Sequence, residues 1–236
     1  MRLLVALTAV ALAGLVAGAA RAEQRTYQLA PFDSVSVSTG ISAVVTADGT
    51  QSVMAEAPNS AALDRLKVEV TDGRLEVRID GNFVTWFFNL GQRKPIVVHI
   101  GTSGLKAAEA NSGADLDISG VAGTALSLGA SSGASISFQA ADAERISMDV
   151  SSGASIKATG SCKHLIANVS SGGNVDAREL HCDDVNAQAS AGGHADVDAQ
   201  KAINANASIG GSISIFGKPE DTNVNSGTGG SIDFAS

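Results

Sequence analysis

Aromatic side chains are scarce in this chain of 236 residues: one Trp, one Tyr and seven Phe make 4% of it. Charged residues are also few, at 17%, and basic ones fewest, with 16 Lys and Arg against 24 Asp and Glu. Cysteine occurs twice. Each shortage excludes something. A chain poor in aromatics but holding 26 glycines is not an ordinary two-layer domain and points to repetition. A net charge of −8 without basic clusters excludes a nucleic-acid partner, which needs Lys and Arg against phosphate. An apolar content of 44% with so few charges excludes a disordered chain. After residue 20 no apolar run approaches membrane length. The P-loop, the dinucleotide fingerprint, the G-x-S-x-G elbow and the Gly-Gly-x-Gly-x-Asp calcium repeat are all missing.

Residues 1–22 read as a secretory signal. Arg2 supplies the positive start, Leu3 to Ala20 an uncharged apolar run, and Ala20-Arg21-Ala22 a cleavage site, which predicts a mature start at Glu23. A membrane anchor is the competing reading, because the run is just long enough to span; its small-residue end favours cleavage. No cysteine stands beside the site, which argues against a lipoprotein. Cleavage removes two arginines and no acid, taking the charge from −8 to −10. The mature protein is expected to be soluble, to avoid anionic lipid and to be periplasmic or secreted by a bacterium, with no membrane span left.

The remainder carries a repeat. A small-residue motif recurs at Asn111-Ser112-Gly113, Ser131-Ser132-Gly133, Ser151-Ser152-Gly153, Ser170-Ser171-Gly172, Ser190-Ala191-Gly192, Ser208-Ile209-Gly210 and Gly227-Thr228-Gly229, close to every 20 residues. A fixed period of this length means stacked supersecondary units. Within each unit the period is two. Leu116, Ile136, Ile156, Val175, Ala195, Ile213 and Ile232 follow the glycine by three residues, and the residues on either side of them are mostly polar. Leu126, Ile146, Leu165, Val185 and Ile203 precede it by seven and alternate in the same way. This is a strand with one buried face on each side of a turn, with no helical period. Stacked in parallel, such strands pair their backbones and form a narrow column. Ala167, Ala177, Ala187, Ala195 and Ala205 make its predicted interior thin. The serines are expected to form hydroxyl ladders.

Residues 23–100 are strand-rich but less regular, so one continuous domain is expected over 23–236, with a capping part at 23–100 and seven repeats at 101–236. Asp72-Gly73, between two alternating runs, predicts a hairpin. Ala57-Pro58 to Leu63 predicts a turn or one short helix. Phe83, Trp86, Phe87 and Phe88 concentrate four of the nine aromatics in one segment, expected to cap the open end or to form a contact patch.

The Ser-Gly copies resemble the head GIN domain family, whose label is auto-transporter adhesin head. So do Phe32 to Ile41, Ala57-Pro58, Leu66-Lys67-Val68 and Gly73 to Val77. The resemblance covers nearly all of residues 29–236 and implies a right-handed parallel β-helix, shaped like pectin lyases, without an established catalytic site. Gly101-Thr102-Ser103-Gly104 departs from it, standing where a Pro-containing turn is expected.

Cys162 and Cys182 lie one period apart, hence on adjacent rungs, which suits a disulfide in an exported protein. His164 and His181 flank them, so a Cys₂His₂ zinc site competes, though no pocket is implied. Asp183-Asp184 cannot act as a glycosidase pair, because neighbours on a strand point to opposite faces. Asp176 and Asp196 are expected to stack in one outer column. His99 and His194 lack a partner at useful spacing, and Arg145 and Arg178 are expected on turns. No cofactor or metal is expected. The leading expectation is an exported, non-enzymatic β-solenoid that binds an envelope glycan or protein, or acts as a scaffold. A polysaccharide-active enzyme of the same shape and a self-assembling structural protein are the alternatives.

Overall fold

The computed structural model describes residues 22–47, 49–80, 96–123 and 125–235. It is 66% strand and 3% helix, a β-solenoid of about six turns with stacked parallel strands. The N-terminal part holds β1 (Glu23–Tyr27), β2 (Ser34–Val37), β3 (Ser42–Thr46), β4 (Ser52–Ala57), the short helix α1 (Ser60–Asp64), β5 (Leu66–Thr71), β6 (Arg74–Ile79) and β7 (Val97–Gly101). The repeats follow as β8 (Ala107–Ala110), β9 (Asp115–Ala122), β10 (Ala125–Ala130), β11 (Ser135–Ala141), β12 (Ala143–Val150), β13 (Ser155–Val169), β14 (Asn174–Ala189), β15 (His194–Ala207), β16 (Ser212–Gly217), β17 (Asp221–Ser226) and β18 (Ser231–Phe234).

Two columns of parallel pairing run along the solenoid. The leading column, whose strands from β2 onward enter the Ser-Gly turns, is β6, β2, β8, β10, β12, the C-terminal halves of β13, β14 and β15, then β17. The trailing column, whose strands from β3 onward leave those turns, is β7, β3, β9 and β11, the N-terminal halves of β13 to β15, β16 and β18. The period of two in the sequence is the reason: only stacking satisfies both edges of a strand whose inner side chains face the column axis.

The turns repeat with one geometry. Ser152 has φ 54° and Gly153 φ 70°, and Ala154 N donates to Ser151 O at 3.1 Å. Two successive left-handed residues closed by such a bond form a type I′ turn. All seven expected turn glycines have positive φ, and so does the residue before each of the first six. The turns also ladder on one another: Gly133 N donates to Ser152 O, and Gly153 N to Ser171 O. An eighth turn, missed by the spacing, is Ser38-Thr39-Gly40. Thr39 and Gly40 have φ 68° and 67°, and Gly40 N donates to Ser112 O at 3.1 Å. It escapes the repeat because β2 and β3 are inserted between the β6–β7 rung and the β8–β9 rung, far from their sequence neighbours.

The interior is narrow, as expected. Ala167, Ala177, Ala187, Ala195 and Ala205 are all fully buried, which leaves little room for aromatic rings. The N-terminal end is closed by antiparallel strands: β5 pairs with β6, β4 with β7, and β1 with β4. Asp72 and Gly73, at φ 50° and 76°, form the predicted hairpin. In α1 the Asn59 side chain accepts from Ala62 N at 2.9 Å, and Leu63 is buried. These elements cover the edge of the first rung. The aromatic segment with Phe83, Trp86, Phe87 and Phe88, expected to cap or to bind, lies outside the described residues.

The departure at Gly101-Thr102 has a local reason. A Cβ on Gly101 would fall 2.4 Å from Thr50 O. Thr102 is fully buried and its hydroxyl donates to Phe32 O at 3.4 Å and Gly104 O at 3.3 Å, so threonine organises the turn here.

Candidate functional site

Cys162 and Cys182 form a disulfide across adjacent rungs, with Cα atoms 4.5 Å apart, and pair in register. Both sulfurs are consumed, which removes the zinc alternative. Among the described residues no group of three or more His, Cys, Asp or Glu is placed to hold a metal ion. His164 and His181 turn instead to carboxylates: His164 Nδ1 lies 3.1 Å from Asp184 Oδ2 and His181 Nδ1 3.1 Å from Asp198 Oδ2. Asp198 is buried and also accepts from Gln200.

The trailing face compensates its own charges. Asp176 and Asp196 stack in register as expected. Arg178, which lies in β14 rather than on a turn, bridges them. Its Nε and Nη2 donate to the two oxygens of Asp176 at 2.9 Å each, and Nε lies 3.5 Å from Asp196. His194, expected to be alone, lies 2.9 Å from Asp196. The Arg178 guanidinium holds the Asp176 carboxyl below the usual range, against the opposing effect of partial burial. Asp183 makes an ion pair with Lys201 at 2.9 Å, and Asp184 is in contact with His164 instead. Lys163 lies 3.8 Å from Glu144. These acids are engaged in holding strands together.

The leading face differs. An open groove of about 490 Å³ runs along it. Its floor comes from Gly129, in register with Glu109 on one side and Asp149 on the other. A missing side chain between two long ones makes the dip. The walls are Ser131, Ser151, Ser170, Ser190 and Gln188. Part of the ladder is self-satisfied: Ser131 Oγ donates to Asn111 at 2.6 Å, and Asn168 to Asp149 at 2.9 Å. Glu109 is clamped by both terminal nitrogens of Arg74 at 2.8 and 3.2 Å. The side chains of Ser151, Ser170, Ser190 and Gln188 have no protein partner among the described residues. The hydroxyl ladder expected from the turns is therefore a row of free donors and acceptors, recurring every ~4.8 Å. The signal for the groove was present in sequence: Gly129 is a glycine within an alternating strand, away from every turn position.

The sequence profile described as "Putative auto-transporter adhesin, head GIN domain" matches residues 31–219. The chain belongs to this head GIN domain family. Solved structures share the fold of this family member. A "putative adhesin" from Bacteroides fragilis superposes with TM-score 0.75 at 19% identity, covering 91% of this chain and 97% of that one. A "putative lipid binding protein" from Parabacteroides distasonis gives TM-score 0.67 at 16% identity, covering 93% and 98%. A "putative adhesin" from Parabacteroides merdae gives 0.67 at 13%, covering 93% and 98%. No curated protein matches the chain. Among the described residues of the GIN domain no helix is long and apolar enough to cross a membrane.

Proposed function

We propose that this GIN domain is an exported, non-enzymatic adhesin-like module that binds an envelope or surface glycan along its leading face. The groove over Gly129 carries the reading: a row of hydroxyls and an amide without a protein partner among the described residues, open to solvent and repeating with the strands. Sugars present closely spaced hydroxyls, and such a row meets them with little rearrangement. The carboxylates of the groove, Glu109 and Asp149, are each held by a partner and stand two rungs, roughly 10 Å, apart. The adhesin label of the family supports binding over catalysis. Export is supported by the signal-like residues 1–22, by β1 beginning at Glu23, and by the disulfide, a bond of oxidising compartments. Cleavage after Ala22 is checked by the intact mass of the protein recovered from a periplasmic extract; a retained leader overturns that part.

Gly129→Gln tests the binding. A Cβ at Gly129 meets only the flexible Glu109 side chain, at 3.4 Å, so the variant fills the groove without breaking the fold. On an array of oligosaccharides the wild type is expected to bind and Gly129→Gln to lose at least tenfold, with an unchanged melting temperature. Ser137→Gln, on the trailing face, is expected to bind as wild type. An array on which wild type binds nothing, or on which Gly129→Gln matches it, overturns the reading.

Self-association is the second reading. It is favoured by the last rung, where Val224 and Phe234 are 43% and 56% exposed at positions buried elsewhere in the column.

A further inference from the structure

The leading face continues from the groove into a second hollow of about 500 Å³. Arg145, His164 and Asp184 stand in successive register along its rim. Arg145 is exposed and has no carboxylate or other partner among the described residues. Arg25, Arg74, Arg78 and Arg178 are each bound to an acid; Arg65 also has no acid partner among the described residues, but it stands at the C-cap of α1 and does not line the hollow. Asn186, Asn204 and Asn223 stack in register as an amide ladder, again with no protein partner for their side chains among the described residues. Ile166, in the same column between Ser147 and Asn186, supplies one apolar side chain where the neighbours are polar.

These parts fit one ligand chemistry. A free guanidinium takes a carboxylate through two parallel hydrogen bonds. Stacked amides, each donor and acceptor, suit hydroxyls. The Ile166 side chain suits the apolar face of a sugar ring. Charge along the rim restricts the ligand further. From Arg145 the register passes through His164, Asp184 and Ala202 to Asp221, from positive to negative over four rungs, roughly 19 Å. The chain as a whole carries −8, which repels a polyanion. A single negative group is favoured at the Arg145 end, and neutral hydroxylated units beyond it.

We propose that the hollow beside Arg145 is a subsite for one terminal acidic sugar, a uronic or sialic acid, on an otherwise neutral glycan. The proposal rests on the glycan-binding reading of the adjoining groove and names what that face selects.

The test uses an array of neutral oligosaccharides beside the same oligosaccharides bearing one terminal uronic or sialic acid. Wild type is expected to prefer acidic members at least tenfold. Arg145→Gln is expected to lose that preference while still binding the neutral members. Arg145→Lys, which keeps the charge but not the paired donors, is expected to retain part of it. Equal binding of neutral and acidic members by wild type, or an unchanged preference in Arg145→Gln, overturns the subsite and leaves the groove standing. No binding of either set by wild type overturns both.

Discussion

Gly153 and Gly193 are both turn-region glycines, but for different physical reasons. Gly153 has φ 70° with nothing within 4 Å of an added Cβ, so only its backbone conformation demands glycine. Gly193 has no left-handed φ, but a Cβ there would fall 2.6 Å from Val169 O on the neighbouring rung. The first three copies carry Ala114, Ala134 and Ala154 at this position, and the later ones carry Gly173, Gly193, Gly211 and Gly230. Gly153→Ala is expected to cost roughly 1–2 kcal/mol, the left-handed penalty. Gly193→Ala is expected to cost roughly 1–3 kcal/mol through overpacking and to shift the rung. Ala154→Gly, by contrast, should stay near 1 kcal/mol, the usual cost of glycine for alanine. Urea midpoints of the three variants check the order; a neutral Gly193→Ala contradicts the close approach. The period alone marked the first set of glycines. It was silent on the second, because a contact between rungs depends on how tightly the corners stack. Gly129 was likewise unread, since an alternating strand stays alternating when one outward side chain is absent.

The strands from Ser155 to Ala207 carry most of the cross-rung chemistry, and their pairing in register was legible from a spacing near 20 residues. That register put Cys162 against Cys182. Closing a segment of 20 residues is worth about 3 kcal/mol in the chain-entropy account. Reduction is expected to lower the unfolding free energy by about that amount, read from denaturant curves with and without dithiothreitol. Equal curves would show the bond to be unimportant to the column. Ion pairs were less legible, because register shifts between Lys157 and Thr159 and between Ala177 and His181 move side chains off the ideal ladder. Arg178 sits between those shifts and reaches both Asp176 and Asp196. The folded Asp176 carboxyl titrates below its ordinary 3.8, so the unfolded chain takes up that proton first. The pair's contribution is present in full above the ordinary value and disappears as pH falls through the lowered one. Being partly exposed, it is worth at most ~1 kcal/mol. Arg178→Met is therefore expected to be less stable than wild type at pH 6, with the difference shrinking as pH falls below the ordinary carboxylate value and closing once the folded Asp176 is protonated as well. A difference independent of pH would assign Arg178 a packing role instead.

A solenoid is stabilised one rung at a time, each rung by its two neighbours, so opening is expected to start at the ends. The two ends are unequal. At the N-terminal end β5, β4 and β1 lie antiparallel over the first rung, with Leu63 of α1 buried beneath. At the other, β17 is exposed along its whole length, and Phe234 and Val224 face solvent. Beyond the Asp72-Gly73 hairpin and the short helix, the cap could be read from sequence only as strand-rich, because its other strands pair out of chain order and the pairing of β2 and β3 with β6 to β9 crosses that order. Between the ends, β13, β14 and β15 run for 15, 16 and 14 residues without interruption, and the disulfide joins the first two. Amide exchange should therefore be graded, slowest in β13 to β15, intermediate in β2 and β3 beneath the cap, and fastest in β17 and β18. If the protein pairs through its last rung, that gradient reverses there: the amides of β17 and β18 slow as concentration rises, and Phe234→Asp restores fast exchange without altering β13 to β15. Fast exchange in β17 and β18 at every concentration would exclude the end rung as a self-association surface. That result would leave the proposed glycan groove of the leading face to stand or fall on its own binding test, independent of any pairing through the end rung.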